Sequence, residues 1–200
     1  MIRGYAAPHL AVHDRVHSEI IDMKSYIHPI DDAPSIASNR LQMNLAIDDP
    51  FAFNLAWLKS NGFVCVPVES GMHFTDQDAK LIADALASSG NHFLNAVLTE
   101  SLDNTVINYW VDASTEGLMA FSDACGSLNY LLATPNRNLY ILCTTSDYFL
   151  VAGADSLVSI CVGGDIPLAR KAFREYSLDP AWPSQERQIL TDTGNRYDCQ

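Results

Sequence analysis

NLYILCTTSDYFLVAG, residues 138–153, decides the fold of this 200-residue chain. Two apolar runs, Leu139–Cys143 and Tyr148–Ala152, flank a short polar break, Thr144–Asp147. Both runs are rich in aromatic and β-branched residues, and the stretch contains no Lys, Arg or Glu. Continuous apolar runs of this length, separated by a turn, predict a β-hairpin whose strands are buried on both faces. The hairpin is therefore expected at the centre of the domain, with Asp147 at its exposed tip.

Upstream of it, Phe93–Thr99 and Thr105–Val111 read as a strand pair joined by the turn-like Ser101–Asn104. Ser114 is placed to cap a helix running through Leu118, Phe121, Leu128 and Leu131 to Pro135, weakened or kinked at Gly126. Downstream, Asp155 is placed to cap a short helix through Leu157, Val158 and Cys161. Gly163-Gly164 makes a turn, and Asp165 caps a last helix, Pro167–Tyr176. The tail from Asp179, with Pro180, Pro183 and Gly194, is expected to be irregular apart from one short strand near Gln188–Leu190.

In the first half, Pro8–Ile27 has helical spacing of Leu10, Val16, Ile20, Met23 and Ile27, with Pro29 beyond its end. Ile30–Asn39 reads as a polar loop, and Arg40–Ile47 as a half-buried strand with Leu41, Met43, Leu45 and Ile47 on one side. Asp49-Pro50 is expected to open a helix burying Phe51, Leu55 and Leu58, closed by Asn61-Gly62. Phe63–Val68 reads as a strand, and Pro67 within it suits a sheet edge. Thr75–Asp78 forms a capping box with Asp in place of the usual Glu or Gln. It opens a helix that stops near Gly90. Strands arriving as close neighbours, with few βαβ crossovers, predict an α+β fold. The expectation is one globular domain over residues 1–200, its irregular C-terminal tail about 179–200, with a mainly antiparallel sheet of about five or six strands and about four to six helices.

Hydrophobic residues make up 48% and charged residues 18% of the chain, a globular composition. No stretch approaches the ~18 apolar residues of a membrane span, and the N-terminal segment lacks a signal peptide's apolar core, so a cytoplasmic location is expected. The five cysteines, Cys65, Cys125, Cys143, Cys161 and Cys199, are odd in number and include no C-x-x-C pair. That pattern argues against a disulfide framework and against a zinc ribbon.

The formal net charge is −12, and its distribution is uneven. Between Leu81 and Ala169 the only Lys or Arg is Arg137, among nine acids. Such a surface repels nucleic acid and anionic lipid and attracts basic proteins. There is no G-x-S-x-G, no G-x-x-x-x-G-K-[ST] and no G-x-G-x-x-G. Cys125 has Asp123 beside it in sequence, which opposes a thiolate, and Cys143 and Cys161 fall inside apolar runs, as core thiols do. His9, His13 and His17, at i, i+4 and i+8, put adjacent imidazoles on one helix face where a pair can share a metal ion. No third ligand is fixed beside them, so neither a metal nor another cofactor is expected. The acid pairs Asp31-Asp32, Asp48-Asp49 and Asp76/Asp78 stand at turns and helix starts, where Asp caps backbone N–H groups.

The function expected from these features is that of an acidic, cytoplasmic, protein-binding inhibitor that masks a basic partner such as a secreted toxin or nuclease. In size and charge the chain is similar to bacterial immunity proteins, although no motif carries that likeness. The candidate partner-binding residues are Asp103, Asp112, Glu116, Asp123 and Asp147, all in the nearly cation-free span and near expected turns and helix starts. The alternatives are a small enzyme using a metal or a thiol, and a structural subunit of an assembly.

Overall fold

Helices cover the sheet from both sides, and this is why the hairpin strands are apolar along their whole length. The computed structural model describes residues 25–71, 73–99 and 108–198. Its strands are β1 (Ile27–Pro29), β2 (Ile47–Asp49), β3 (Ala52–Phe53), β4 (Val64–Glu69), β5 (Phe93–Leu98), β6 (Asn108–Asp112), β7 (Tyr130–Ala133), β8 (Leu139–Cys143) and β9 (Tyr148–Gly153). The helices are α1 (Ala33–Ala46), α2 (Leu55–Asn61), α3 (Asp76–Ser88), α4 (Thr115–Cys125), α5 (Asp155–Cys161), α6 (Ile166–Ser177) and α7 (Ser184–Tyr197). Seven strands form one antiparallel sheet in the order β1-β6-β5-β7-β8-β9-β4, and β2 and β3 form a small separate hairpin. The α+β, mainly antiparallel expectation holds, with one strand more in the main sheet and more helices than the sequence suggested.

Alternation along the strands sorts the side chains into two cores. Leu139, Ile141, Phe149 and Val151 join residues of α3, α4 and α5 on one face. Tyr140, Leu142, Tyr148, Leu150 and Ala152 join Met43 of α1, Leu58 of α2, Phe173 of α6 and Leu190 of α7 on the other. Every residue of β8 and β9 is buried. Gly153 permits the closest approach: a Cβ there would stand 2.3 Å from the Asn138 carbonyl oxygen.

Several expected elements form as read. The Thr75 capping box has both of its bonds, Asp78 N–H to Thr75 Oγ1 and Thr75 N–H to the Asp78 carboxylate. Gly62 ends α2 at φ 64, and the Asp165 carboxylate caps α6 through the Leu168 N–H. Phe93–Leu98 and Asn108–Asp112 pair antiparallel, with the turn between them outside the described residues. Of the expected helix over Pro8–Ile27, residues up to 24 lie outside the described residues, and Ile27 begins β1.

Others differ, each for a local reason. The expected loop Ile30–Asn39 and strand Arg40–Ile47 are mostly one helix, α1, because Asp32 caps it and Pro34 stands in its first turn. Its buried residues are Met43 and Ala46, while Leu41 and Leu45 are exposed, so the period of two was coincidental. Asp49-Pro50 does not open a helix: the Asp49 carboxylate accepts the Phe51 N–H in the tight β2–β3 turn, and Asn54 caps α2 instead. The helix after Ser114 does not reach Pro135. It ends at Gly126, and Leu131 belongs to β7. Ala154 rather than Asp155 occupies the α5 cap position. The tail from Asp179 is not irregular, and Gln188–Leu190 is not a strand, because both lie in or around helix α7. That helix is fastened by tertiary contacts invisible to local pattern. Arg174 pairs with Asp198, Arg196 pairs with Asp48, and the buried Tyr197 hydroxyl accepts the Phe53 N–H at 2.9 Å.

Both edge strands place a proline where it removes no ladder bond. Tyr26 O accepts from Asp112 N–H and Ile30 N–H donates to Asn108 O, so the alternation turns Pro29 of β1 away from β6. On the opposite edge Ser70 N–H donates to Asp147 O, and the Cys65 carbonyl instead accepts from Arg170 of α6. Cys65, Pro67 and Glu69 thus turn their backbone groups outward from β4. Pro67 supplies no N–H there and Arg170 occupies the Cys65 carbonyl, so this edge is a poor template for another strand.

Candidate functional site

Beside the outer edge of β4 runs a groove of about 580 Å³. Pro67, Val68 and Glu69 of β4 and the following Ser70-Gly71 form one side. Helix α3 contributes Leu81 and the residues of its capped start, and α6 contributes Ala169, Ala172, Phe173 and Tyr176. Trp182 and, from the tip of the β8–β9 hairpin, Asp147 also line it.

The tip is held to this groove by its backbone. Asp147 adopts φ 60, and its carbonyl accepts both the Ser70 N–H at 3.2 Å and the Tyr176 hydroxyl at 3.1 Å. The preceding turn is fixed by Thr144, whose hydroxyl donates to Tyr148 O at 2.6 Å, and by Asn129, whose side-chain oxygen accepts the Thr145 N–H. Tyr176 stands between aromatic neighbours, Trp182 edge-on at 5.3 Å and Phe173 tilted at 5.9 Å.

The charged residues that line the groove are all acidic. Its lining includes the carboxylates of Glu69, Asp78 and Asp147 and no Lys, Arg or His. Burial, reinforced by the negative charges of Asp147 and Glu69, pushes the Tyr176 phenol up to about 12. Asp78 is engaged by its capping box, whereas among the described residues no ion pair involves Glu69 or Asp147. Four cations elsewhere are matched: Lys80 with Asp84, Lys171 with Glu175, Arg174 with Asp198 and Arg196 with Asp48. Of the basic residues of α6, Lys171 and Arg174 are in these pairs, and Arg170 donates to the Cys65 carbonyl.

The five acidic candidates separate in space. Asp147 lines the groove. Asp123, exposed near the C-terminal end of α4, stands 3.8 Å from His73, in the segment that follows Glu69. Asp112 ends β6, and Glu116 sits in the first turn of α4, at the far end of that helix from Asp123. Seven residues along that helix put about 10 Å of rise between Glu116 and Asp123. Asp103 lies outside the described residues, as do His9, His13 and His17. Glu69, Phe173, Tyr176 and Trp182 were not singled out by the sequence reading. Only the exception Pro67 makes within an apolar run pointed to an unusual edge at β4.

Other chemistries find less support. Cys65, Cys125, Cys143 and Cys161 are free and buried. Burial pushes the Cys161 thiol up to about 12 and the Cys65 and Cys143 thiols higher still, which withholds the nucleophilic thiolate. Among the described residues no group of three His, Cys, Asp or Glu side chains is placed to hold a metal ion, and no helix is long and apolar enough to cross a membrane. Comparison with protein-family models, curated proteins and solved structures finds no match to this chain.

Proposed function

We propose that the protein is an acidic protein-binding inhibitor, of the immunity-protein kind, that masks a basic surface of a partner such as a toxin or nuclease. The observation that carries this reading is the β4 groove, whose lining combines apolar and aromatic side chains with three acidic residues and no Lys, Arg or His. Carboxylates around an apolar floor complement a polypeptide rich in Arg or Lys, accelerate its encounter and disfavour anionic competitors. Masking needs no catalytic group of the inhibitor's own, so burial of the four described cysteines is compatible with it.

Affinity capture tests the proposal, with the full chain as bait and its E69K/D147K variant as control. The expected result is a basic protein retained by the native chain at low salt and lost both at about 0.5 M salt and from the variant. A captured partner that is acidic, or one held equally by the variant and at high salt, overturns it.

A further inference from the structure

Resting on that reading, the geometry points to a more specific occupant: an arginine side chain of the partner, seated in the β4 groove among Glu69, Asp147 and the Tyr176–Trp182 rings, with no strand added to the sheet.

Two sets of observations lead there. The first concerns what the groove offers. Glu69 and Asp147 are the lining carboxylates without a capping role, and Tyr176 is held against the Asp147 carbonyl beside them. Trp182 extends the aromatic wall. A planar guanidinium satisfies both features at once, because it donates N–H bonds to carboxylates along its edges while its face lies against an aromatic ring. A lysine ammonium is a compact, strongly hydrated charge with no flat face to lay on that wall. The second set concerns what the groove refuses. A strand added to β4 needs outward backbone donors and acceptors at Cys65, Pro67 and Glu69. Pro67 has no N–H, and Arg170 already occupies the Cys65 carbonyl. The partner segment is therefore recognised through its side chains.

The test is titration of the full-length, isotope-labelled protein with acetyl-Leu-Gly-Arg-Gly-Leu-amide, read by the Trp182 indole N–H signal. Four controls are the same peptide with citrulline for arginine, the peptide with alternate backbone amides N-methylated, the D112N/E116Q protein and the E69Q/D147N protein. Both substitutions preserve size, and Asn tolerates the positive φ of position 147, so the variant keeps the fold. The expected result is a saturable shift of Trp182, weakened about tenfold or more by citrulline and by E69Q/D147N and unchanged by N-methylation. Equal binding of the citrulline peptide overturns the guanidinium assignment, and loss on N-methylation overturns docking by side chains. Binding that survives E69Q/D147N but falls in D112N/E116Q moves the site to the other end of the sheet. Failure of the arginine peptide alongside successful salt-sensitive capture of a basic protein removes the arginine subsite alone. Failure of both removes the inhibitor reading as well.

Discussion

Asp147 shows how a single position links backbone conformation to the groove. Its φ of 60 lies in the left-handed region, where a Cβ is unfavourable and Asp, Asn and Gly are the tolerated residues. Asp147→Ala is expected to be less stable than Asp147→Gly by about 1 kcal/mol, as measured by urea unfolding, although both remove the same carboxylate. Equal stabilities would show that the turn carries no such strain. The titrating groups give a second expectation. The Cys161 thiol is raised from 9.0 to about 12 and the Tyr176 phenol from 10.0 to about 12, in each case chiefly by burial. Both raised values favour the neutral group in the folded chain. Their stabilising contribution is present in full below pH 9 and is lost as pH rises from 9 towards 12. Unfolding free energy is therefore expected to fall as pH rises above 9, less steeply in Cys161→Ala. An identical alkaline slope in that variant would contradict the role given to the thiol.

The edge strand β4 and the C-terminal helix α7 behave in ways that follow from their neighbours. Pro67→Val restores an outward N–H on β4 and is expected to raise self-association with concentration in sedimentation experiments, while leaving the β4–β9 pairing intact. A variant that stays as dispersed as the native chain would show that Arg170 alone protects this edge. Gly194 of α7 faces Phe173, and a Cβ there would lie 3.5 Å from that ring, an ordinary contact. Gly194→Ala is thus expected to stabilise the protein by about 0.5–1 kcal/mol through helix propensity, and a loss of stability would contradict this packing. These two segments also mark what sequence reveals. The hairpin Leu139–Cys143/Tyr148–Gly153, the Thr75 capping box and the Gly62 stop were legible because each depends on neighbours in the chain. Helix α7 was hidden because prolines precede it and it is held by distant partners, Asp48 and Phe53. Helix α1 was hidden because Leu41 and Leu45, its most apolar-looking signal, face outward. The groove could not be read at all, since Glu69, Asp147 and Tyr176 are far apart in sequence and meet only through the pairing of β4 with β9 and the packing of α6 on β4.

The net charge of −12 acts on the protein as a unit, but it does not by itself select a binding face. The structure separates the acidic candidates into an end near the hairpin tip, with Asp147 and Asp123, and an end at the start of α4, with Asp112 and Glu116. At the first, Asp147 lines a groove together with Phe173, Tyr176 and Trp182. Association of a basic partner is expected to slow with added salt, because exposed carboxylates act over the Debye length of about 10 Å at 0.1 M. Charge reversal of Asp147 should slow association more than charge reversal of Glu116. The most direct measurement is an amide chemical-shift map of the labelled protein on addition of the arginine peptide. Shifts are expected to concentrate in Val68–Gly71, Asp147, Tyr176 and the Trp182 indole, all weakened by salt. Shifts centred on Asp112 and Glu116, or spread evenly over every exposed carboxylate, would contradict this placement.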